Sequence, residues 1–386
     1  MRMTQLKSIA DIQTGPFGSQ LHKEDYVENG TPIVTVEHLG NRVFTEQNLP
    51  KVSDSDKARL SKYTLSTGDI VFSRVGSVDR CSYVDNSHDG WMFSGRCLRV
   101  RPTETVDSLY LYYYFCLEET KQFVRNIAVG ATMPSINTKL LGEVEIALPN
   151  LSNQQRIAAV LTSLDDKIEN NQKLNDNLQQ QAAALFSSLY DRTNTEVRFT
   201  DLIQILGGGT PKTDENTYWN GNIAFFTPKD VGTPYTLITE KTITEEGLSH
   251  CNSRLYPVNT VFVTARGTVG KVGMSGVPMA MNQSCYALVG KETHQLLVYF
   301  YTLKAVDRLK HKASGAVFDA ITTRDFESEQ IMKLSDDDAK SFLCIAEPMF
   351  QKVLNNSIEN QRLSTLRDSL LPKLMSGEID VSSVHL

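Results

Sequence analysis

The chain carries the same kind of long helix twice, and a fold must hold both copies. Residues 151–190 read LSNQQRIAAVLTSLDDKIENNQKLNDNLQQQAAALFSSLY, and residues 339–377 read AKSFLCIAEPMFQKVLNNSIENQRLSTLRDSLLPKLMSG. A constant shift of 185 aligns Leu164 with Met349, Ile168 with Val353, Leu178 with Leu363 and Leu189 with Leu374. In the first copy Leu161, Leu164, Ile168, Asn171, Asn175, Leu178, Ala182, Leu185 and Leu189 alternate by three and four. In the second, Ala346, Met349, Val353, Asn356, Asn360, Leu363, Arg367, Leu370 and Leu374 do the same. That is the coiled-coil period, sustained for about four heptads. Asn171 and Asn175, and Asn356 and Asn360, sit in mid-seam, where a buried amide needs a partner and commonly fixes register. An antiparallel pair would bring the two polar centres face to face. A seam that instead binds the helices of another subunit is the alternative, and the two are compatible on different faces.

The repeat extends beyond the helices. GDIVFSRVGSV, residues 68–78, and NTVFVTARGTV, residues 259–269, align at a shift of 191 that matches Gly76 with Gly267. Each is a short apolar strand running into a glycine loop with an arginine close by, Arg74 or Arg266. WMFSGRCLRVRP corresponds to MAMNQSCYALVG, and two amphipathic helical stretches, SLYLYYYFCLEETKQFVRNI and HQLLVYFYTLKAVDRLKHKA, follow. Then come Gly130-Ala131 and Gly315-Ala316, again 185 apart, and the openings TGPFGSQ and GGGTPKT also correspond. A co-linear series of this kind marks a duplication. Short β-branched runs between Gly, Asn and Asp clusters predict an α+β module rather than a doubly wound parallel sheet. The expected architecture is two globular domains in tandem, residues 1–149 and 194–334, each followed by a long helix, residues 150–193 and 335–386. The two helices are expected to pack as an antiparallel coiled coil about a pseudo-twofold axis.

A length of 386 residues suits two such domains. The six cysteines are scattered without paired spacing, and the seven histidines lack metal spacing, so neither zinc nor a disulfide framework is expected. No apolar run is long enough to cross a membrane and the N-terminal residues lack a signal-peptide core, which predicts a cytoplasmic address. The net charge of −6 is uneven: −2 over residues 1–149, −1 over 150–193, 0 over 194–334 and −3 over 335–386. The acidic helices suit protein partners, and any nucleic-acid surface must be a local patch.

Catalytic signatures are missing. GTVGKVG, residues 267–273, has neither the spacing nor the hydroxyl of a phosphate-binding loop and reads as a strand–loop turn. His311 sits in a charged helical run and reads as solvated, and Tyr110 to Tyr114 read as core. A duplicated protein without an active site points to recognition. Reading DNA needs Arg or Lys for guanine and Asn or Gln for adenine, with Lys, Arg, Ser and Thr on phosphates. The first module offers Ser19, Gln20, Lys23, Arg42, Arg74, Ser77, Arg80, Arg96 and Arg99; the second offers Thr210, Lys212, Lys229, Arg266, Thr268, Lys271, Asn282 and Gln283. The other reading of Arg96, Arg99 and Arg101 is the exposed face of a strand.

These residues resemble the specificity subunits of type I restriction-modification systems, over essentially the whole chain. NQQRIAAVLTSLDDKIENN is similar to the family's central spacer, and LNNSIENQRLSTLRDSLLPKLMSGEIDV to its second spacer. GGGTPKTDENTYWNGNIAFFTPKDV resembles the opening of a target-recognition domain, as does TGPFGSQLHKEDYVENGTPIVTV, and RGTVGK and RVGSVD also look familial. The Gln-Gln-Arg-Ile run at 154–157 has no counterpart at Asp338-Ala339-Lys340-Ser341, which puts contacts of the second spacer there in doubt.

The resemblance implies a non-catalytic subunit that reads a bipartite, asymmetric site on double-stranded DNA, one half per domain. A helix of about 38 residues spans roughly 57 Å and would act as a ruler. At about 3.4 Å per base pair, readers at its ends lie roughly one and a half DNA turns apart. The helices would also dock two methyltransferase subunits that hold S-adenosylmethionine. Separate restriction subunits would carry ATP- and Mg-dependent translocation and cleavage, and no cofactor is expected in this chain. A methylation-only complex and a coiled-coil scaffold unrelated to DNA are the alternatives.

Overall fold

The computed structural model describes residues 2–16, 18, 20–40, 42–232, 234–312 and 320–382. The chain divides into two compact units, Met1–Lys167 with Leu363–Leu386, and Ile168–Arg362. Both long helices form, Leu151–Tyr190 and Asp336–Ser376, and each contributes one part to each unit.

The first unit holds an antiparallel sheet in the order Ala10–Thr14, Cys97–Pro102, Ile70–Ser73, Cys81–Tyr83. A second small sheet contains Thr31–Val34, which pairs in parallel with Met92–Phe93. A third pairing joins Arg2–Gln5 to Glu145–Leu148. Ile70, Val71 and Phe72 are all buried, as expected of a strand covered on both faces. The run from Ser108 makes two helices, Ser108–Cys116 and Glu118–Ile127, because Leu117 leaves the helical region at φ −58°, ψ 134°. Tyr110, Tyr112, Tyr113 and Tyr114 are buried in the core, as the sequence suggests.

The second unit repeats this plan. Its main sheet runs Ile203–Gly207, Cys285–Gly290, Val261–Thr264, Val272–Ser275, Tyr235–Thr236. Trp219–Phe226 pairs in parallel with Met279–Met281, and Glu196–Arg198 pairs with Gln330–Met332. The stretch that divides in the first unit is here one helix, Gln295–Lys312. His311 is exposed on it, facing Asp307 at 3.7 Å.

The long helices join each core differently. In the first unit Ile157, Ala158, Leu161, Leu371, Leu374 and Met375 are buried in one apolar cluster. Asp165 is also buried there, accepting from the Tyr113 hydroxyl at 2.7 Å and from Arg367 Nη1 at 2.7 Å. Burial disfavours the Arg367 cation, but hydrogen bonds to Asp165 and Asp368 outweigh it and hold its pKa above the usual value. At the shift of 185 the counterpart of Asp165 is Phe350 and that of Arg367 is Ala182. Both are buried in the second unit's core, where Phe350 packs against Phe300 at 5.5 Å. One unit therefore uses an ion pair where the other uses an aromatic contact, each aromatic pair adding about 0.5–1.5 kcal/mol beyond its buried area.

The mid-seam asparagines all lie in the second unit. Asn171 Nδ2 donates to Asn360 Oδ1 and to Glu359 Oε2, both at 2.8 Å, while Asn356 Nδ2 donates to Asn175 Oδ1 at 2.8 Å.

Candidate nucleic-acid interface

The glycine loops come first, because backbone bonds fix them. Gly76 and Gly267 both adopt positive φ, +75° and +83°, a conformation that side-chain-bearing residues rarely take. Each follows a buried strand end and turns the chain out of the sheet. In the first unit Arg74 N donates to Arg96 O at 2.8 Å, and Ile136 N donates to Arg74 O at 2.9 Å. In the second, Ala265 N donates to Ser284 O at 2.8 Å, and Ile321 N donates to Ala265 O at 2.9 Å. Ser94 N donates to Val34 O at 2.9 Å, and Asn282 N to Phe226 O at 3.0 Å. The next cysteines, Cys97 and Cys285, are buried, and burial pushes both thiols up to about 12.

One backbone frame therefore appears twice, and it fixes which side chains correspond. Ser77 matches Thr268 and Arg80 matches Lys271, so those positions keep their chemistry. Ser94, Gly95 and Arg96 match Asn282, Gln283 and Ser284, and those positions do not. Arg74 corresponds to Ala265, and Arg266 to Val75. The two arginines next to the glycines are thus one residue out of step, and adjacent strand-end residues point to opposite sides.

The candidate residues fall into three groups. Ser77, Arg80, Arg96, Lys212, Lys229, Arg266, Thr268, Lys271 and Gln283 are exposed. Arg80 Nη2 donates to Leu39 O, Thr268 Oγ1 donates to Pro228 O at 3.1 Å, and Lys229 lies 3.6 Å from Glu240. A second group is half-buried and partly engaged. Arg74 Nη1 donates to Gly95 O at 3.1 Å, Thr210 Oγ1 donates to Gln283 Oε1, and Asn282 Oδ1 accepts from Ser284 N at 3.0 Å. Gln20 Oε1 accepts from the Tyr63 hydroxyl at 2.8 Å.

The third group is held in ion pairs. Arg99 is 4% exposed, its Nη2 2.5 Å from Asp11 Oδ2, with Nε buried and without a hydrogen-bond partner. Arg101 grips Asp69 through Nε at 2.6 Å and Nη2 at 2.7 Å. Of the strand face read as exposed, Arg99 is therefore buried, while the Arg101 side chain stays 40% exposed and paired to the buried Asp69. Arg42 Nη2 meets Asp166 of the long helix at 2.5 Å, within the first unit. Ser19 and the Lys23 side chain lie outside the described residues, as does Gly315-Ala316.

Two segments join these loops without having been singled out as contacts. Residues 128–136 are fastened to the Gly76 loop by Gly76 N donating to Pro134 O at 2.8 Å. Asn252 lies against Gly209, where an added Cβ would sit 2.6 Å from Asn252 N, and Arg254 beyond it is exposed. Gly130 was visible as a mark of the repeat; nothing in the spacing of Asn252 and Arg254 points to this position.

Two matched modules, each displaying loops from the strand ends of its main sheet, define a duplicated recognition protein. The family model described as the type I restriction modification DNA specificity domain matches residues 1–180 and 192–333, and the chain belongs to that family. It is 23% identical over 409 residues to the type I restriction enzyme MjaIX specificity subunit of Methanocaldococcus jannaschii, covering 98% of this chain and 94% of that one. It is 24% identical over 405 residues to the HindI specificity subunit of Haemophilus influenzae, covering 83% and 88%. Its fold is similar to that of a type I restriction-modification S subunit from M. genitalium, with a TM-score of 0.64 at 17% identity over 97% of this chain and 95% of that one. Among the described residues no helix is long and apolar enough to cross a membrane.

Proposed function

We propose that each unit reads one half of a bipartite, asymmetric sequence on double-stranded DNA. The long helices, as an antiparallel coiled coil, set the gap between the halves. The observation that carries this reading is one backbone frame displaying different side chains. Positions that keep Ser or Thr and Arg or Lys, namely Ser77, Arg80, Thr268 and Lys271, suit phosphates, which look alike in every sequence. Positions that differ, Arg96 against Ser284 and Gly95 against Gln283, suit base edges, because a guanidinium fits guanine and a carboxamide fits adenine. Different halves follow from different side chains.

The coiled-coil part of the reading rests on the amide pairs Asn171–Asn360 and Asn175–Asn356, whose order reverses from one helix to the other. The remaining chemistry belongs to partners in this reading. Two modification subunits docked on the helices transfer methyl groups from S-adenosylmethionine, and restriction subunits use ATP and Mg to translocate and cleave. This chain itself catalyses nothing and works in the cytoplasm.

The test is binding of the assembled complex to a duplex carrying the target, identified by mapping modified adenines in DNA the complex has methylated. Arg96→Ala should weaken one half-site only, by about 1–3 kcal/mol, whereas Arg80→Ala or Lys271→Ala should weaken all duplexes and lower the salt slope by about 1. Equal loss from Arg96→Ala on random DNA would remove the base-reading role.

A further inference from the structure

The hairpin of residues 128–136 is built unlike the polar loops around it. Val129 N donates to Ser135 O at 2.9 Å, and Ser135 N donates back to Val129 O at 2.8 Å. Gly130 makes the turn at φ +111°, and a Cβ there would lie 2.7 Å from Met133 O. Ile136, buried at 2% exposure, anchors the stem. Fixed in this way, the hairpin holds two apolar side chains out in solvent, Val129 at 64% and Met133 at 63% exposure. Among the described residues no large apolar side chain is more exposed. Residues 128–136 carry no charge. They stand beside the Gly76 loop and, through Arg74, on the same side of the unit as the exposed cation Arg96.

An apolar tip with a cation near it is poorly matched to an apolar groove on a protein, which would leave the Arg96 guanidinium facing apolar surface. It is well matched to the major groove of a duplex, where phosphates flank base edges and thymine displays a C5-methyl group. We infer that Val129 and Met133 read thymine methyl groups in the half-site bound by the first unit. The inference rests on the DNA-reading function proposed above and adds a base preference to it.

The probe is the target duplex with each thymine of that half-site replaced in turn by deoxyuridine, which removes the methyl group alone. The assembled complex should lose about fourfold in affinity at one such position, the equivalent of one buried CH2. Met133→Ala should bind the thymine duplex more weakly by a similar factor and no longer distinguish deoxyuridine there. Its thermal midpoint should stay that of the parent chain, because the side chain is exposed. A complex that selects its target over a scrambled duplex yet tolerates deoxyuridine everywhere overturns the methyl contact alone. So does a half-site without thymine, or a Met133→Ala chain that binds DNA normally but assembles poorly with its partner subunits. Failure to select the target over the scrambled duplex would instead sink the DNA-reading function.

Discussion

Asn356 donates its Nδ2 hydrogen to Asn175 Oδ1 at 2.8 Å between the two long helices, with the second amide pair, Asn171–Asn360, next along the seam. Asn356 and Asn175 are buried, at 1% and 8% exposure, and Asn356 Oδ1 has no hydrogen-bond partner. Such a pair adds little net stability but strongly penalises any register in which one amide faces leucine. Asn356→Leu should therefore destabilise the chain by about 1–3 kcal/mol, because it orphans the Asn175 acceptor. Asn175→Leu with Asn356→Leu should recover most of that loss. A urea double-mutant cycle measures the coupling; strictly additive single changes would show that the amide bond does not set register.

Asp165 is held by Arg367 and Tyr113. Arg367→Ala leaves a buried carboxylate with the tyrosine hydroxyl alone, and should lower unfolding stability by about 3 kcal/mol. Adding Asp165→Asn should restore part of it, since a neutral amide needs no counter-charge. If the second change lowers the denaturation midpoint further, the charge is not the cause.

Gly76→Ala and Gly267→Ala both place a Cβ where φ is positive, at a strain of about 1–2 kcal/mol. The space around them is open: an added Cβ meets nothing within 4 Å at Gly76 and only Pro228 Cβ, at 3.8 Å, at Gly267. The expected outcome is a small loss of thermal stability with a larger, one-sided loss of half-site selection, read by footprinting. Equal loss at both half-sites would mean that the loops do not act separately.

Thiol labelling tests the repeated strand. Cys97 and Cys285, pushed up to about 12 by burial, should resist alkylation at pH 8 in the native chain, while exposed Cys344 reacts. The same shifts predict a pH effect. Both groups hold their proton more tightly folded than unfolded, so their contribution to stability is complete below the ordinary thiol value of 9.0 and is lost as pH rises towards 12. Labelling of Cys97 as fast as Cys344 would contradict the packing around that strand.

The duplication and both long helices were legible because apolar periodicity survives divergence, and burial dictates it. The core tyrosines 110–114 were legible for the same reason. The burial of Arg99 was not, since strand alternation tells which residues share a face but not that Asp11 and the Lys62 carbonyl take up its guanidinium. Arg74 and Arg266 accompany matched glycines without occupying matched positions, because a glycine fixes the loop while its arginine neighbours do not. The break at Leu117 falls where the apolar run gives way to Glu118-Glu119, with neither glycine nor proline to mark it as a break.

The backbone bonds that hold Arg74 to Arg96 and Ala265 to Ser284 use only peptide groups. Those particular bonds do not depend on which side chains the loops carry. Drift in the displayed residues can then alter what is recognised without threatening the fold, so new targets become reachable by single substitutions at the loop surface, while the interior of the protein stays as it was.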